Sequence, residues 1–304
     1  MILTVTPNIA LDVTYNVAQL KVHGSHRVSY FAERAGGKGV NVSRVLGDLG
    51  YSSTVLGFCG GPNGDAIRAE MNAAEISNQL VPIDGNNRRS ITVVDDETGD
   101  ATVFNEGGPT ISSKEWAALV QQITTSLSTA RVLVVSGSFP PGVPDDACVQ
   151  LVKLANSANV PIVVDTVGRN LLAAVDAGVT LVKPNAAEII EATETEDVVA
   201  AARALNERGA KAVVVSMGPD GMLAVTADQV WRATPPRQVS GNPTGAGDAA
   251  VAALAAGIST NATWPELLQE AVAVSAAAVL HPLAGGFDRT AYEEFRSAVR
   301  VEEV

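Results

Sequence analysis

The segment Asn242-Pro-Thr-Gly-Ala-Gly-Asp-Ala-Ala250 is a glycine-rich turn that runs into an alanine-rich helical stretch. Glycines let backbone N–H groups approach an anion closely, a helix N-terminus adds positive potential, and Asp248 sits in the first turn. A phosphate fits there electrostatically. Two other readings stand beside this one. The acid could simply stabilise a helix start, or Gly245-x-Gly247-x-x-Ala250 could be a dinucleotide fingerprint of an NAD(P)-dependent dehydrogenase. That fingerprint should follow a buried strand and be followed, after about 20 residues, by an acid at a strand end. Here Thr234-Pro-Pro-Arg-Gln-Val-Ser-Gly-Asn-Pro243 precedes it and no such acid follows, while a Walker A loop is absent.

A second glycine turn, Ala35-Gly36-Gly37-Lys38-Gly39-Val40-Asn41-Val42, also leads into a helical pattern. Lys38 and Asn41 are three positions apart and share a helix face that points back toward the glycines. A polyol or its phosphate could be gripped there; an ordinary loop with a solvated lysine is the alternative. His23, His26 and His281 have no ligand or triad spacing.

Elements able to position these segments alternate along the chain. Ile2–Thr6, Ser53–Phe58, Val132–Ser136, Ile162–Asp165, Leu181–Lys183 and Ala212–Ser216 read as strands, most of them continuously apolar as in parallel sheets buried on both faces. Gly39–Leu49, Gly64–Ala74, Ser113–Leu127, Asp145–Ala158 and Glu196–Arg208 read as helices, with starts expected at Asn63, Ser112 and Thr195. Alternating strands and helices imply βαβ units on a doubly wound α/β sheet. Asp12–Glu33 and Arg88–Asn105 break the rhythm. In the latter, Ser90–Val94 and Ala101–Asn105 flank the turn Asp95-Asp-Glu-Thr-Gly99 as a hairpin. Both stretches read as antiparallel strands, polar on one face, of a small β-sheet lid drawn from about residues 12–34 and 88–106. Gly245–Gly257 and Trp264–Leu280 read as two closely packed helices. A single domain over residues 1–304 is expected.

Composition narrows the partners. The 304 residues are 46% hydrophobic and 18% charged, enough for a substantial core. A net charge of −12 repels nucleic acid and anionic membrane surfaces. Cys59 and Cys148 form neither a disulfide framework nor a metal-ligand pair and are expected to be buried apolar fillers. The N-terminus has no basic leader and no apolar run reaches roughly 18 residues, so a cytoplasmic protein is expected.

Taken in order, Gly36-Gly-Lys-Gly-Val-Asn41, Gly57-x-x-Gly60 with Gly64-Asp65, Ser136-Gly-Ser-Phe-Pro-Pro-Gly142, Lys183-Pro-Asn-x-x-Glu188, Ser216-x-Gly-x-x-Gly221 and Gly245-Ala-Gly-Asp248 resemble the ribokinase and phosphofructokinase-B carbohydrate kinases. The similarity spans nearly the whole chain and is greatest to the branch of 1-phosphofructokinase, tagatose-6-phosphate kinase and the minor bacterial 6-phosphofructokinase. It implies a ribokinase-like fold and ATP- and Mg²⁺-dependent phosphorylation of a ketohexose phosphate. Fructose 1-phosphate stands first, tagatose 6-phosphate second and fructose 6-phosphate third. In that reading Asp248 is the general base, and the N–H groups of Gly245, Ala246 and Gly247 hold the transferred phosphoryl.

The same resemblance assigns Asp12, Gly37, Lys38 and Asn41 to the sugar, and Arg88, Ser138 and Arg27 to its phosphate, where the planar fork of arginine can donate two parallel bonds. Lys183 and Asn185 fall to the nucleotide phosphates, and Asn185 and Glu188 to Mg²⁺ through water. Ser216, Gly218 and Gly221 fall to the nucleotide loop, and Ser275 to the adenine slot. A homodimer through the lid, with Arg27 reaching across, is also implied. One departure stands out. Asn242-Pro243 occupies the place of the usual Asp-Thr, removing the carboxylate expected of a monovalent-cation site, as in the tagatose-6-phosphate kinase branch.

Overall fold

The computed structural model describes residues 1–304. The chain opens with β1 (Ile2–Thr6), β2 (Ala10–Val17), β3 (Tyr30–Gly36), α1 (Lys38–Asp48), β4 (Ser53–Cys59), α2 (Gly61–Ala73), β5 (Asn78–Pro82), β6 (Arg88–Asp95) and β7 (Ala101–Asn105). It continues through α3 (Ser113–Leu127), β8 (Val132–Ser136), α4 (Ala147–Ser157), β9 (Ile162–Asp165), α5 (Arg169–Asp176), β10 (Leu181–Val182), α6 (Ala186–Thr193), α7 (Val198–Arg208) and β11 (Ala212–Ser216). The last elements are β12 (Met222–Thr226), β13 (Val230–Thr234), α8 (Ala246–Ser259), α9 (Trp264–Val279), α10 (Arg289–Ala298) and β14 (Arg300–Glu303).

Ten strands form the main sheet in the order β14-β13-β12-β11-β10-β9-β8-β1-β4-β5. Neighbours from β11 to β5 are parallel, and β12, β13 and β14 add an antiparallel edge. β1 lies in the middle, with the chain going first to β4 on one side and later to β8 on the other. That reversal opens a crevice at the carboxyl ends of β1 and β8, where open α/β sheets bind ligands. Strand residues alternate between two cores. Leu133, Val135, Ile162 and Val164 pack under α3 to α7, whereas Val132, Val134, Val163 and Leu181 pack under α1, α8, α9 and α10.

The small sheet has the order β3-β2-β6-β7 and shares a third core with α2. Its two outer pairs are antiparallel, as the alternating patterns imply, but β2 pairs with β6 in parallel. The strands are separated by an excursion through the main sheet, so a parallel central pair is topologically open to them. Carboxylate oxygens of Asp95 accept N–H bonds from Glu97 (2.9 Å), Thr98 (3.2 Å) and Leu20 (2.8 Å), which closes the β6–β7 turn and ties it to the chain after β2.

Helix starts differ from expectation at two places. α2 is capped at Gly60 rather than Asn63, whose side chain donates to Asn87 O instead. α7 is capped by Asp197 rather than Thr195, with the carboxylate accepting from Ala200 N at 2.7 Å. Ser112 does cap α3, in a reciprocal box with Glu115. Both cysteines are free and buried, and no helix is long and apolar enough to cross a membrane.

α8 and α9 are packed through alanines, with Ala249 to Ala256 buried and α9 burying Ala271, Ala273, Ala277 and Ala278. Small side chains let the axes approach and so fix the position of Asp248 at the start of α8. Ala255, fully buried, has no space for a larger group. Ala255→Leu is expected to destabilise the fold by about 1–3 kcal/mol through overpacking, read as a lower urea midpoint at unchanged slope.

Candidate active site

Strand parity assembles the floor of the site. In β8, β9 and the run through β10, alternation places Val134, Val163 and Leu181 under α1 and α8. Two residues further on, Ser136, Asp165 and Lys183 point the same way. Register then sets them side by side, because Ser136 pairs with Asp165 and Val164 with Val182. All three are buried at the carboxyl edge of the sheet.

Asp165 is the hub. Its Oδ2 accepts from Lys38 Nζ at 3.1 Å and from Ser136 Oγ at 3.2 Å, and its Oδ1 faces Lys183 Nζ at 3.7 Å. Burial works to raise its proton affinity, but Lys183 and Lys38, with the hydrogen bonds from Lys38 and Ser136, outweigh it and hold the carboxyl below the usual range. The two lysines differ: the side chain of Lys38 is 42% exposed and that of Lys183 only 4%. Lys38 can therefore meet an incoming ligand, while Lys183 is locked in place. Its ammonium lies 3.5 Å from where a Cβ on Gly247 would be, so it stands directly against the glycine turn.

Above this floor sits Asp248, in the first turn of α8 and buried. Its Oδ2 accepts a 2.8 Å hydrogen bond from Asn41 Nδ2 on α1. Burial, together with the negative charge of Asp165, pushes its carboxyl up to about 7 against the pull of Lys38, Asn41 and Lys183. A carboxylate tuned near neutrality is suited to accept a proton in a water-poor site. Gly245 caps α8 in the left-handed region, φ 88°, and a Cβ there would come within 2.9 Å of Ala284 Cα. Only glycine makes this turn, which leaves the first N–H groups of α8 without intrahelical partners. Residues 235–244 before it contain no strand, so the strand–turn–helix context of a dinucleotide fingerprint is absent.

A second polar cluster lies where the small sheet meets the main one. Asp12 on β2 lies directly over Gly36, where any side chain would collide with its carboxyl group. Burial pushes Asp12 up to about 6, with Arg88, Arg34 and Arg44 opposing. Arg88 donates from Nε to Asn8 O at 3.1 Å and, with Asn86, Asn87 and Glu106, lines a cavity of about 500 Å³ that contains no hydrophobic side chain of the aliphatic or aromatic kind. That cavity does not reach Asp248. Ser138 accepts from Asn8 Nδ2 at 3.2 Å and is exposed toward the crevice edge. Arg34 reaches across from β3 to Ala284 O at 3.3 Å. Gly37, φ 103°, ends β3 and opens α1, which aims Lys38 and Asn41 into the crevice. Arg27 is not brought to this cluster. It is exposed on the segment between β2 and β3, and its side chain makes no ion pair or hydrogen bond within the chain.

Toward β11, Asn185 and Glu188 form a reciprocal cap of α6. Asn185 Oδ1 accepts from Glu188 N at 2.8 Å, and Glu188 Oε2 accepts from Asn185 N at 2.9 Å. The cap leaves Oε1 of Glu188 without an intrachain partner. No three acidic, histidine or cysteine side chains come together elsewhere as a metal cluster. Ser216 bridges to Asn185, and Gly218 and Gly221 take left-handed conformations in the turn after β11. A Cβ on Gly221 would strike Ala233 O at 2.0 Å. Ser275 is half-buried on α9. Asn242 is consumed locally, its Oδ1 accepting from Thr244 N at 3.0 Å and its Nδ2 donating to Pro282 O.

Sequence reasoning missed Asp165, Ser136 and Arg34 as site residues. Parity was the available signal for the first two: each lies two residues past a valine that faces α1 and α8. Nothing local marks Arg34, whose partner is 250 positions away.

The raised proton affinity of Asp248 has a consequence for stability. The unfolded acid ionises near its ordinary value of about 4, so between about pH 4 and 7 the native state binds more protons than the unfolded one and stability falls as pH rises. Asp248→Asn removes that loss while leaving the Asn41 contact possible. The variant should melt at a higher temperature than the parent near pH 8, with the difference shrinking toward pH 4; calorimetry at the two pH values checks this.

Comparison with known proteins agrees with this geometry. The model of the pfkB family carbohydrate kinases matches residues 5–290. A 1-phosphofructokinase of Bacillus subtilis is 36% identical over 264 residues, covering 85% of this chain and 86% of the relative. A 1-phosphofructokinase of Xanthomonas campestris is 34% identical over 270 residues, covering 86% and 85%. Among solved structures, the tetrameric inhibited form of phosphofructokinase-2 from Escherichia coli superimposes with a TM-score of 0.90 at 30% identity, covering 97% of this chain and 98% of its own. A crevice at the sheet reversal, a buried acid at a left-handed glycine cap and a family match over almost the full length lead to one assignment: the chain belongs to the pfkB family of carbohydrate kinases.

Proposed function

We propose that the protein transfers the γ-phosphoryl group of ATP to fructose 1-phosphate, forming fructose 1,6-bisphosphate and ADP, with Asp248 as the general base. The observation that carries this reading is the buried carboxylate of Asp248, tuned to about 7, between the Asn41 amide and the left-handed Gly245 turn. The sugar oxygen forms a bond to the γ-phosphorus as the bond to the β–γ bridging oxygen breaks, and the hydroxyl proton passes to Asp248. Phosphoryl transfer asks mostly for positioning and electrostatic stabilisation. The N–H groups of Gly247 and Asp248, which have no backbone acceptor while that of Ala246 bonds Pro243 O at 3.2 Å, and the Lys183 ammonium against Gly247 supply the second.

Asp12, Gly37, Lys38 and Asn41 are assigned to the sugar, and Arg88 with Ser138 to its phosphate; the polar cavity beside Arg88 supports a charged rather than a neutral substrate. The nucleotide is assigned to the Lys183 and Ser216–Gly221 side, with Ser275 near the base. Mg²⁺ fits at Glu188, whose one free oxygen suits an ion that keeps most of its water and takes few carboxylates. Asn185 would act there by fixing Glu188. The ion would neutralise charge on the β- and γ-phosphates.

The small sheet is assigned the role of a lid on a single kinase unit. Its outer strands expose Tyr30, Phe31, Val103 and Phe104, which supports pairing of two lids in a homodimer, and Arg27 would then be positioned to reach the partner copy. The Escherichia coli relative of tetrameric form is consistent with self-association through some surface. Use of ATP fits a cytoplasmic enzyme.

Coupled ADP-release assays should show the highest kcat/KM with fructose 1-phosphate, above tagatose 6-phosphate and fructose 6-phosphate; turnover of unphosphorylated fructose or ribose alone would defeat the assignment. Asp248→Asn should lose about 10²–10⁴ in kcat while still binding a non-hydrolysable ATP analogue in calorimetric titration. Arg88→Gln should raise KM for the sugar phosphate by about 10-fold or more, as expected for losing a charge-assisted bond, with kcat little changed. An unaltered KM would remove Arg88 from the phosphate site.

A further inference from the structure

Asp165 belongs to none of the roles assigned above, yet it is the only acid in the protein that pairs with two cations. We propose that Asp165 is a positioning residue for phosphoryl transfer, a buried carboxylate that holds the ammonium groups of Lys38 and Lys183 at a fixed spacing on either side of the reacting hydroxyl. The inference rests on the kinase reading of this crevice.

Geometry supports a division of labour between its two oxygens. Oδ2 takes Lys38 and Ser136, and Oδ1 faces Lys183. The width of one carboxylate thus sets the separation of two cations that arrive from different elements, α1 and the turn after β10. Lys38 sits beside Asn41, the hydrogen-bond partner of Asp248, while Lys183 stands against Gly247. Asp165 itself is only 2% exposed, and both of its carboxylate oxygens are already engaged by Lys38, Ser136 and Lys183. Its influence must pass through the lysines and through its field.

Stability alone is a poor account of this acid. Taking the charges of Asp165 and Lys183 out of water is costly, and buried ion groups can often be replaced by apolar residues without loss of stability. The preceding Val163 and Val164 show what the same strand uses where only packing is needed. Asp165 also bears on the base. The charged groups acting on Asp248 are Asp165 from β9, Lys38 from α1 and Lys183 from the turn after β10, with Asn41 as its hydrogen-bond donor. Asp165 holds the proton affinity of Asp248 up, whereas the two lysines and Asn41 draw it down. Removing the Asp165 charge therefore lowers the pH at which Asp248 ionises.

The test compares full-length wild type, Asp165→Asn and Asp165→Glu for kcat, KM for ATP and for fructose 1-phosphate, and the pH dependence of kcat/KM. With misplacement of reacting groups by about 1 Å costing on the order of 10²-fold, both variants should lose at least 10-fold in kcat, with smaller changes in either KM. Asp165→Asn should also move the acidic limb of the profile to lower pH. Asp165→Glu, which keeps the charge but moves it, should leave that limb near its original position. A folded Asp165→Asn with an unmoved limb, or an Asp165→Glu with wild-type kcat, would overturn the proposal. If Asp165→Asn does not fold, Asp165→Glu decides alone. Asp248→Asn run in parallel separates the two readings: normal turnover there sinks the proposed base, while an inactive Asp248→Asn beside a fully active Asp165→Glu sinks only the positioning role.

Discussion

A carboxylate removed from water must recover its hydration from cations and donors, or it takes up a proton. The carboxyl edge of the main sheet buries two such groups, Asp165 and Asp248, within the field of the same two lysines, and they resolve the problem in opposite ways. Asp165 has the direct contacts with Lys38, Lys183 and Ser136 and stays ionised. Asp248 has one amide donor, Asn41, and is left with its proton affinity near neutrality. The acid whose proton affinity lies near neutrality and the acid that stays charged are thus distinguished by their partners, not by residue type.

Much of the surrounding architecture serves that arrangement. Alanines between α8 and α9 set how deep the start of α8 lies. A close approach of α1 to β1, where a Cβ on Gly39 would meet Thr6 Oγ1 at 2.3 Å, brings Lys38 and Asn41 down onto the sheet edge. The loop around Ala284 touches both sides of the crevice: it packs against Gly245 and accepts from Arg34 on the small sheet. Asp12 repeats the theme at the other end, half-buried over Gly36 among arginines.

The parts of the fold that could be read along the chain were those where one residue type dominates a whole element. β1, β8, β9 and β11 are runs dominated by β-branched residues with ends marked by polar or small residues, and their limits lie where the pattern places them. β14, Arg300-Val-Glu-Glu303, has no such pattern, since an edge strand paired on one side and wet on the other needs little apolar character. α5 and α6 span eight residues each, too short for a helical period to stand out. The parallel pairing of β2 with β6 depends on which strands the main sheet leaves adjacent, so it has no local signature.

The glycine turns, the acid after the second of them, the lysine and amide after the first and the Asn185–Glu188 cap are local chemistry, and the sequence alone determined them because backbone conformation at a glycine and the start of a helix depend on a few neighbouring residues. What only the tertiary structure decided is which of these groups share a field. Lys38 and Asp165 are 127 positions apart, and Asn41 and Asp248 are 207 apart. Their contacts exist because period-two alternation, strand register and close helix packing bring them to one sheet edge. Residue types along the chain could nominate Asp248 as a base. Its burial, and the charged acid beside it that raises its proton affinity, come from the fold.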